Sequence, residues 1–249
     1  MTTNTKRTAV ITGASSGIGA ATVRRLRDEG FDVIAGARRL DRLRAVTEPV
    51  GATAIELDVR DRVSVEVFAA QVPRCDVLVN NAGGALGLAT VAQADDEHWR
   101  TMWETNVFGL MLVTRALLPK LEASGNGYIV NIGSIAGIET YPNGAGYTTV
   151  KHAVRAISHT LRIELLGKPV HVTEIEPGLV ETEFSVVRFD GDAERAAKVY
   201  EGMTPLTADN IADCVAWSVT RPKHVNIDEM VVRPIAQATA TQVARNVGL

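Results

Sequence analysis

The sequence predicts an α/β protein built on a doubly wound parallel sheet of about seven strands, with helices on both faces. Three observations predict it. Short apolar runs alternate with longer amphipathic ones along all 249 residues, the rhythm of strand–helix crossovers. The short runs are apolar throughout rather than alternating, as strands buried on both faces require. A glycine-rich turn, Thr12-Gly13-Ala14-Ser15-Ser16-Gly17-Ile18-Gly19, joins the first apolar run to the first amphipathic one.

The elements follow in order. Residues 8–12 read as a buried strand, and 18–29 carry helical periodicity that Gly30 stops. A strand at 32–35 precedes a helix at 40–46, and a strand at 53–57 precedes a helix at 63–71. The fourth strand is 76–79. A long helix at 99–121 carries an apolar stripe of Trp99, Trp103, Val107 and Leu110, suited to core packing. Residues 128–132 form the fifth strand, 146–166 a second long helix, 170–175 the sixth strand and 230–233 a seventh. No repeat or linker divides the chain, so residues 1–249 are expected to form one domain. The stretch 178–205 breaks the rhythm and is too long for an ordinary connection, so it reads as a lid or binding loop.

Composition excludes several functions. With 26 basic and 29 acidic residues the net charge is -3, and no basic run suits a nucleic-acid partner. Cys75 and Cys214 show neither zinc spacing nor a disulfide framework, and read as small buried apolar residues in a reducing compartment. His98, His152, His159, His171 and His224 lack ligand spacing, so no metal is expected; His152 reads as a helix-flank residue. The N-terminus is polar, without the apolar stretch of a signal peptide, and no apolar run approaches a membrane span. A soluble, cytoplasmic protein is expected.

The glycine-rich turn sits where a pyrophosphate binds. Glycines at 13, 17 and 19 let the backbone turn tightly and approach an anion closely. The helix that opens near Ile18 presents free N–H groups and a positive dipole end. An enzyme for the unphosphorylated dinucleotide places Asp or Glu about 20 residues further on, at the end of the second strand. Here the run is Ala35-Gly36-Ala37-Arg38-Arg39, and no carboxylate appears before Asp41. Arg38, with Arg39, suits a 2′-phosphate, which favours NADP(H) over NAD(H).

Tyr147 and Lys151 are four residues apart on a predicted helix and so share a face. An ammonium beside a phenol favours the phenolate and lowers its ordinary pKa of about 10. Alone, such a pair is as consistent with a helix surface. Ser134 follows the fifth strand, and Asn80-Asn81-Ala82-Gly83 follows the fourth, so both lie at the carboxyl edge where open sheets bind ligands. Each is also a residue type common in turns.

Taken together, these motifs make the chain resemble a short-chain dehydrogenase/reductase over nearly its whole length, with a single Rossmann-type domain. The family's Thr-Gly-x-x-x-Gly-x-Gly turn matches residues 12–19, and its Asn-Asn-Ala-Gly motif matches 80–83. The resemblance implies Asn106, Ser134, Tyr147 and Lys151 as catalytic residues. Tyr147 would exchange the proton and Ser134 would orient the substrate oxygen. Lys151 would hold the nicotinamide ribose and depress the tyrosine pKa, and Asn106 would position a water that links Lys151 to solvent. It also implies cofactor contacts from Gly13, Ser15, Ser16, Gly17, Ile18 and Gly19 and, through the adenine, from Asp58 and Val59. Asn80, Ala82, Gly83, Pro177, Gly178, Val180 and Thr182 complete that set. Family members commonly form homotetramers through the two long helices and the last strand.

The substrate is less defined. The segment from Glu176 to Phe189, the Gly-Ala-Arg-Arg run and the Arg233-Pro234-Ile235-Ala236-Gln237 ending look like the branch that oxidises 3-hydroxy acids, including serine and allo-threonine. Arg188 is the one residue of that segment able to clamp a carboxylate bidentately, and it reads equally as a surface arginine of a mobile lid. Phe184, Val187 and Phe189 either line the pocket or pin the lid. Two other readings stay open: reduction of another carbonyl, such as a 3-oxoacyl thioester or a secondary-metabolite aldehyde, and an NADP-binding sensor without turnover.

Overall fold

The first crossover forms where the glycine-rich turn predicts it. Strand β1 (Thr8–Thr12) is buried along its length, and α1 (Gly17–Asp28) leaves the turn directly. The computed structural model describes residues 6–247; the polar residues 1–5 and the last two, 248–249, lie outside that range. Next come β2 (Asp32–Ala37), α2 (Leu40–Thr47), β3 (Thr53–Glu56), α3 (Arg62–Gln71) and β4 (Val77–Asn80). Helix α4 (Asp96–Trp103) runs through a wide π turn at Glu104–Phe108 into α5 (Gly109–Ala123). Then follow β5 (Gly127–Ile132), α6 (Ala145–Glu164) and β6 (Val170–Pro177). The former lid stretch holds β7 (Val180–Glu181), α7 (Phe184–Arg188) and α8 (Ala193–Lys198), and it closes at β8 (Leu206–Thr207). The described part ends with α9 (Ala208–Val219) and β9 (Glu229–Val232).

The large sheet has seven strands in the order β3-β2-β1-β4-β5-β6-β9, every adjacent pair parallel. From β1 the chain winds first toward β2 and β3, then returns to β4 and winds the other way. This reversal leaves a crevice at the carboxyl ends of β1 and β4, the general ligand site of such sheets. Strand alternation feeds two cores. Ile11, Val79, Val130 and Ile175 pack against α1 and α9, while Val10, Leu78, Ile129 and Val172 pack against α3 and α5.

Four features differ from the sequence expectation. The long helix begins at Asp96, where the Asp95 carboxylate accepts the His98 N–H as a cap. The π turn rephases that helix, so Met102 and Asn106 point inward and Trp103 is left 47% exposed, outside the expected core stripe. Helix α9 was not expected; its start is a capping box between Thr207 and Asn210, with Asn in the place usually held by Glu or Gln. The lid stretch is folded, not irregular: its base is a short parallel pair, Val180 with Leu206 and Glu181 with Thr207. Of the cysteines, Cys75 is buried and Cys214 only half-buried; both are free. His152 is exposed on α6, as expected.

Candidate active site

The turn after β1 is held by the segment after β4. The Thr12 hydroxyl accepts the N–H groups of Asn81 (3.1 Å) and Ala82 (3.0 Å). In return the Asn81 amide donates to the carbonyls of Thr12 (3.0 Å) and Gly13 (3.1 Å). Gly13 has φ +65° and a Cβ there would come within 2.8 Å of Ala82 Cα; at Gly19 it would come within 2.5 Å of the Gly13 carbonyl oxygen. Gly19 thus serves the turn from behind and does not line the cleft, whereas Ser15, Ser16, Gly17 and Ile18 do. Ser16 makes no side-chain cap, so the first N–H groups of α1 keep their capacity for an anion.

The cleft in front of this turn encloses about 590 Å³. Arg38 and Arg39 line one end, and Arg39 Nη2 donates to Ser15 Oγ at 3.4 Å. Asp58 and Val59 sit beside them, with the Asp58 carboxyl held below its usual range, chiefly by its hydrogen bond from Arg60. Ala82, Gly83, Pro177, Gly178, Val180 and Thr182 line the middle. Asn80 does not: its amide is turned into the sheet, donating to Thr114 and Asn131 at 2.9 Å each. Free helix N–H groups, a glycine cradle that a Cβ would fill and paired guanidinium groups together fit a dinucleotide that carries a 2′-phosphate.

Ser134, Tyr147 and Lys151 converge on the same cleft. Ser134 follows β5, accepts the Ala136 N–H at 3.1 Å and faces the Tyr147 phenol. Lys151 lies one helical turn beyond Tyr147, and its Nζ donates to the Ile132 carbonyl at 2.9 Å. The expected depression of the phenol pKa is not what the geometry gives. Burial, with the neighbouring Tyr141, pushes Tyr147 up; the Ser134 hydrogen bond and the Arg188 charge oppose that. Burial also pushes Lys151 itself down, to about 8. The two groups share a helix face, but the ammonium is directed at a carbonyl rather than at the phenol oxygen.

Asn106 is buried in the π turn and does not line the cleft. Its amide donates to the carbonyls of Gly84 (3.0 Å) and Met102 (2.8 Å), and its Oδ1 accepts the Gly84 N–H at 3.2 Å. Both side-chain N–H groups are used, so the side chain clamps the segment after β4 instead of donating to a water.

Phe184 and Arg188, on α7, roof the site. Phe184 meets the Tyr147 ring edge-on, with centroids 5.5 Å apart. Arg188 Nε donates to the Gly87 carbonyl at 3.1 Å, and the Gly87 N–H donates back to the Arg188 carbonyl at 3.0 Å. Its Nη2 donates to the Tyr141 hydroxyl at 3.2 Å. Arg188 is therefore bonded into the site and is not a free surface arginine.

Sequence reasoning missed three contributors. Tyr141, which fixes Arg188, had no motif to mark it. Glu183, paired with Arg42 and 3.9 Å from Arg39, ties the lid to the arginine end of the cleft, and only contact across distant segments reveals it. Gln237 accepts the Leu179 N–H at 2.8 Å and so holds the segment after Pro177. Among the described residues no cluster of His, Cys, Asp or Glu is arranged to hold a metal, and no helix is long and apolar enough to cross a membrane.

Comparison with known proteins agrees with this geometry. Residues 7–192 match the short chain dehydrogenase family model. An oxidoreductase of Mycobacterium tuberculosis, itself described as uncharacterised, is 60% identical over 96% of this chain and 95% of its own. A Salmonella typhi protein named NADP-dependent 3-hydroxy acid dehydrogenase is 45% identical over 93% of this chain and 96% of its own. Among solved structures, the closed form of a serine dehydrogenase complexed with NADP+ superposes with TM-score 0.91 at 41% identity, covering 96% of this chain and 99% of that one. With the family model matched over residues 7–192 and relatives this similar over nearly the whole chain, this chain belongs to the short-chain dehydrogenase family.

Proposed function

We propose that the protein is an NADP(H)-dependent oxidoreductase that interconverts the hydroxyl and carbonyl forms of small 3-hydroxy acids such as serine, allo-threonine or 3-hydroxypropanoate. The observation that carries this is Arg188. Two bonds, to Gly87 and Tyr141, fix its guanidinium 5.7 Å from the centre of the Tyr147 ring, and its Nη1 end makes no bond within the described residues. A carboxylate held there would lie beside the Tyr147 ring, as a short substrate that carries a carboxylate and a hydroxyl requires. The relatives named for 3-hydroxy acids and serine support the same substrate class.

The bound cofactor supplies or accepts the hydride. Tyr147 donates a proton to the substrate oxygen in reduction and takes it back in oxidation. Ser134 donates a hydrogen bond to that oxygen and orients it. Lys151 would bind the nicotinamide ribose as a cation. The arginines at 38 and 39, with Ser15, would hold the 2′-phosphate, and Asp58 and Val59 would flank the adenine. The roof of Phe184 and the lid helix excludes water from the exchanged proton.

The apolar lining of Leu88, Phe184, Val187 and Phe189 favours a second reading, reduction of a less polar ketone or thioester. A sensor without turnover is disfavoured, since Tyr147 and Lys151 both occupy the cleft. The test is a steady-state assay of L-serine, L-allo-threonine, 3-hydroxypropanoate and neutral secondary alcohols with NADP and NAD. Turnover of the acids with NADP is expected; turnover of none of them would remove the 3-hydroxy acid assignment.

The same reading includes a cytoplasmic homotetramer. Trp103 (47% exposed) and Phe108 (45%) on the α4–α5 helix, with Ile163 on α6, offer apolar area for association, and the two free thiols suit a reducing compartment. Light scattering on a sizing column reads the assembly; a monomer at micromolar concentration would end that part of the proposal.

A further inference from the structure

We propose that Glu174, a buried carboxylate behind the catalytic cleft, is a positioning residue that keeps the Lys151 ammonium charged. This rests on the reading of Lys151 given above. The argument begins with two periodicities. On α6, Lys151, Arg155 and His159 recur every fourth residue and share one face. On β6, Glu174 and Glu176 are two apart and share the opposite face, toward α6, as Val172 does. Two cations of the helix thus face two carboxylates of the strand.

Both carboxylates are 0% exposed, and apart from the Ser158 hydroxyl, which bears on Glu174, no donor among the described residues bonds their four oxygens. The pairing then divides. Arg155 Nε lies 3.4 Å from Glu176, and its Nη2 reaches Glu229 on β9 at 3.1 Å, where His159 also bonds. Arg155, His159, Glu176 and Glu229 therefore form an outer group that leads to the sheet edge. Glu174 stands inside it, next to Lys151.

Its position is fixed by the strand it leans on. A Cβ at Gly133 would collide with Glu174 Oε1, so the carboxylate lies directly against the Gly133-Ser134 segment. The preceding carbonyl, that of Ile132, takes the Lys151 Nζ at 2.9 Å. Lysine in such a dry place loses its proton readily, because a carbonyl alone does not offset the cost of burying the charge. Burial lowers the Lys151 pKa, and Glu174 is the charge that opposes the fall. Nothing in the proton or hydride exchange touches Glu174; it acts through the lysine.

The experiment compares wild type with Glu174→Gln, Glu174→Leu, Glu174→Asp and Glu176→Gln. The leucine variant removes the charge without leaving a polar atom to satisfy, so the neutral state has a second route to a folded protein. Two readouts are taken: the pH titration of the lysine ε-carbon by NMR of lysine-labelled protein, assigned with Lys151→Met, and the pH profile of kcat. In the neutral variants the Lys151 midpoint and the alkaline limb of the profile should both move to lower pH by about one pH unit, as loss of a nearby opposite charge requires. Glu174→Asp should restore both, and Glu176→Gln should move them less. If neither moves while Lys151→Met abolishes turnover, the role of Glu174 is overturned and Lys151 keeps its own. If the lysine midpoint moves but the kcat profile does not, Glu174 sets the Lys151 charge as proposed and it is the reading of Lys151 in turnover that is overturned.

Discussion

Arg188 reaches the Tyr147 ring from the lid: its guanidinium lies 5.7 Å from the ring centre while its Nη2 bonds Tyr141 at 3.2 Å. Its charge opposes the rise in the Tyr147 pKa caused by burial, while the Lys151 ammonium, 5.8 Å from the same ring centre, bonds the Ile132 carbonyl. Under the proposed function one side chain would do two things, anchor an anionic substrate and favour the phenolate. Its own position depends on Gly87 and Tyr141, which lie far apart in the sequence.

Removing the guanidinium separates these effects. Arg188→Ala should raise KM for a 3-hydroxy acid by roughly 10- to 100-fold, the loss expected for a charge-assisted pair. A neutral secondary alcohol should keep its KM. Arg188→Lys retains the charge without the fork and should recover the phenol's acidity better than the affinity. Steady-state kinetics on both substrate types decide it; an equal KM rise for the neutral alcohol would count against a carboxylate clamp.

Tyr141→Phe leaves the ring in place and removes one partner of Arg188. Because Gly87 still holds Nε, the loss should be partial, about 3- to 10-fold in KM, typical of one hydrogen bond between side chains. A kcat change with KM unaltered would show that Tyr141 acts on chemistry instead of on the anchor.

At the other end of the cleft, Arg38→Ala should weaken NADP binding by about 10-fold or more and leave NAD binding nearly unchanged. Arg39 is shared with Ser15 and Glu183 and should matter less. Calorimetric titration with each cofactor measures both. Equal losses for NADP and NAD would place the 2′-phosphate elsewhere.

How much of this the sequence reveals depends on the range of the interaction. The turn at 13–19 was legible because its glycines, the strand before it and the helix after it are contiguous. The parallel sheet was legible because both-face burial leaves an apolar run in each strand. Arg188 was visible only as a choice between clamp and surface, since its partners, Gly87 and Tyr141, lie about 100 and about 50 positions away and no local pattern joins them. The hydrogen-bond partner of Lys151 lies beyond local pattern for a related reason. Helical spacing puts Lys151 on the face of Tyr147, but the Ile132 carbonyl on another element decides where the ammonium points. Helix α9 went unseen because its cap uses Asn210 and its inward face, Ile211, Val215 and Val219, is short.

Gly13 should tolerate no side chain. Its φ of +65° disfavours any L residue, and a Cβ would meet Ala82 Cα at 2.8 Å, backbone that cannot swing away. Gly13→Ala is expected to cost about 2 kcal/mol or more of stability and to weaken cofactor binding together with it. Thermal unfolding with and without NADP reads both. A variant as stable as wild type would mean that the turn relaxes at no cost.

The buried carboxylates give the fold an acid-side stability. Burial pushes Glu174 and Glu176 each up to about 7 from an ordinary 4.5, so the folded state favours their protonated forms. For groups raised in this way the contribution is fully present below about pH 4.5 and is lost as pH rises through about 7. Lys151 runs the other way: its folded pKa lies below the ordinary 10.5, so the cost of burying its charge is relieved only above about pH 8. Between pH 5 and 8 the carboxylates dominate, and the melting temperature should fall across that window. The loss should be on the order of 1–3 kcal/mol for each carboxylate. Glu176→Gln removes one titrating group and should flatten the slope, with its largest gain over wild type at pH 8. Scanning calorimetry at pH 5, 6, 7 and 8 provides the comparison; a melting temperature that is flat or rising in wild type over that range would show that these carboxylates are not held protonated by the fold.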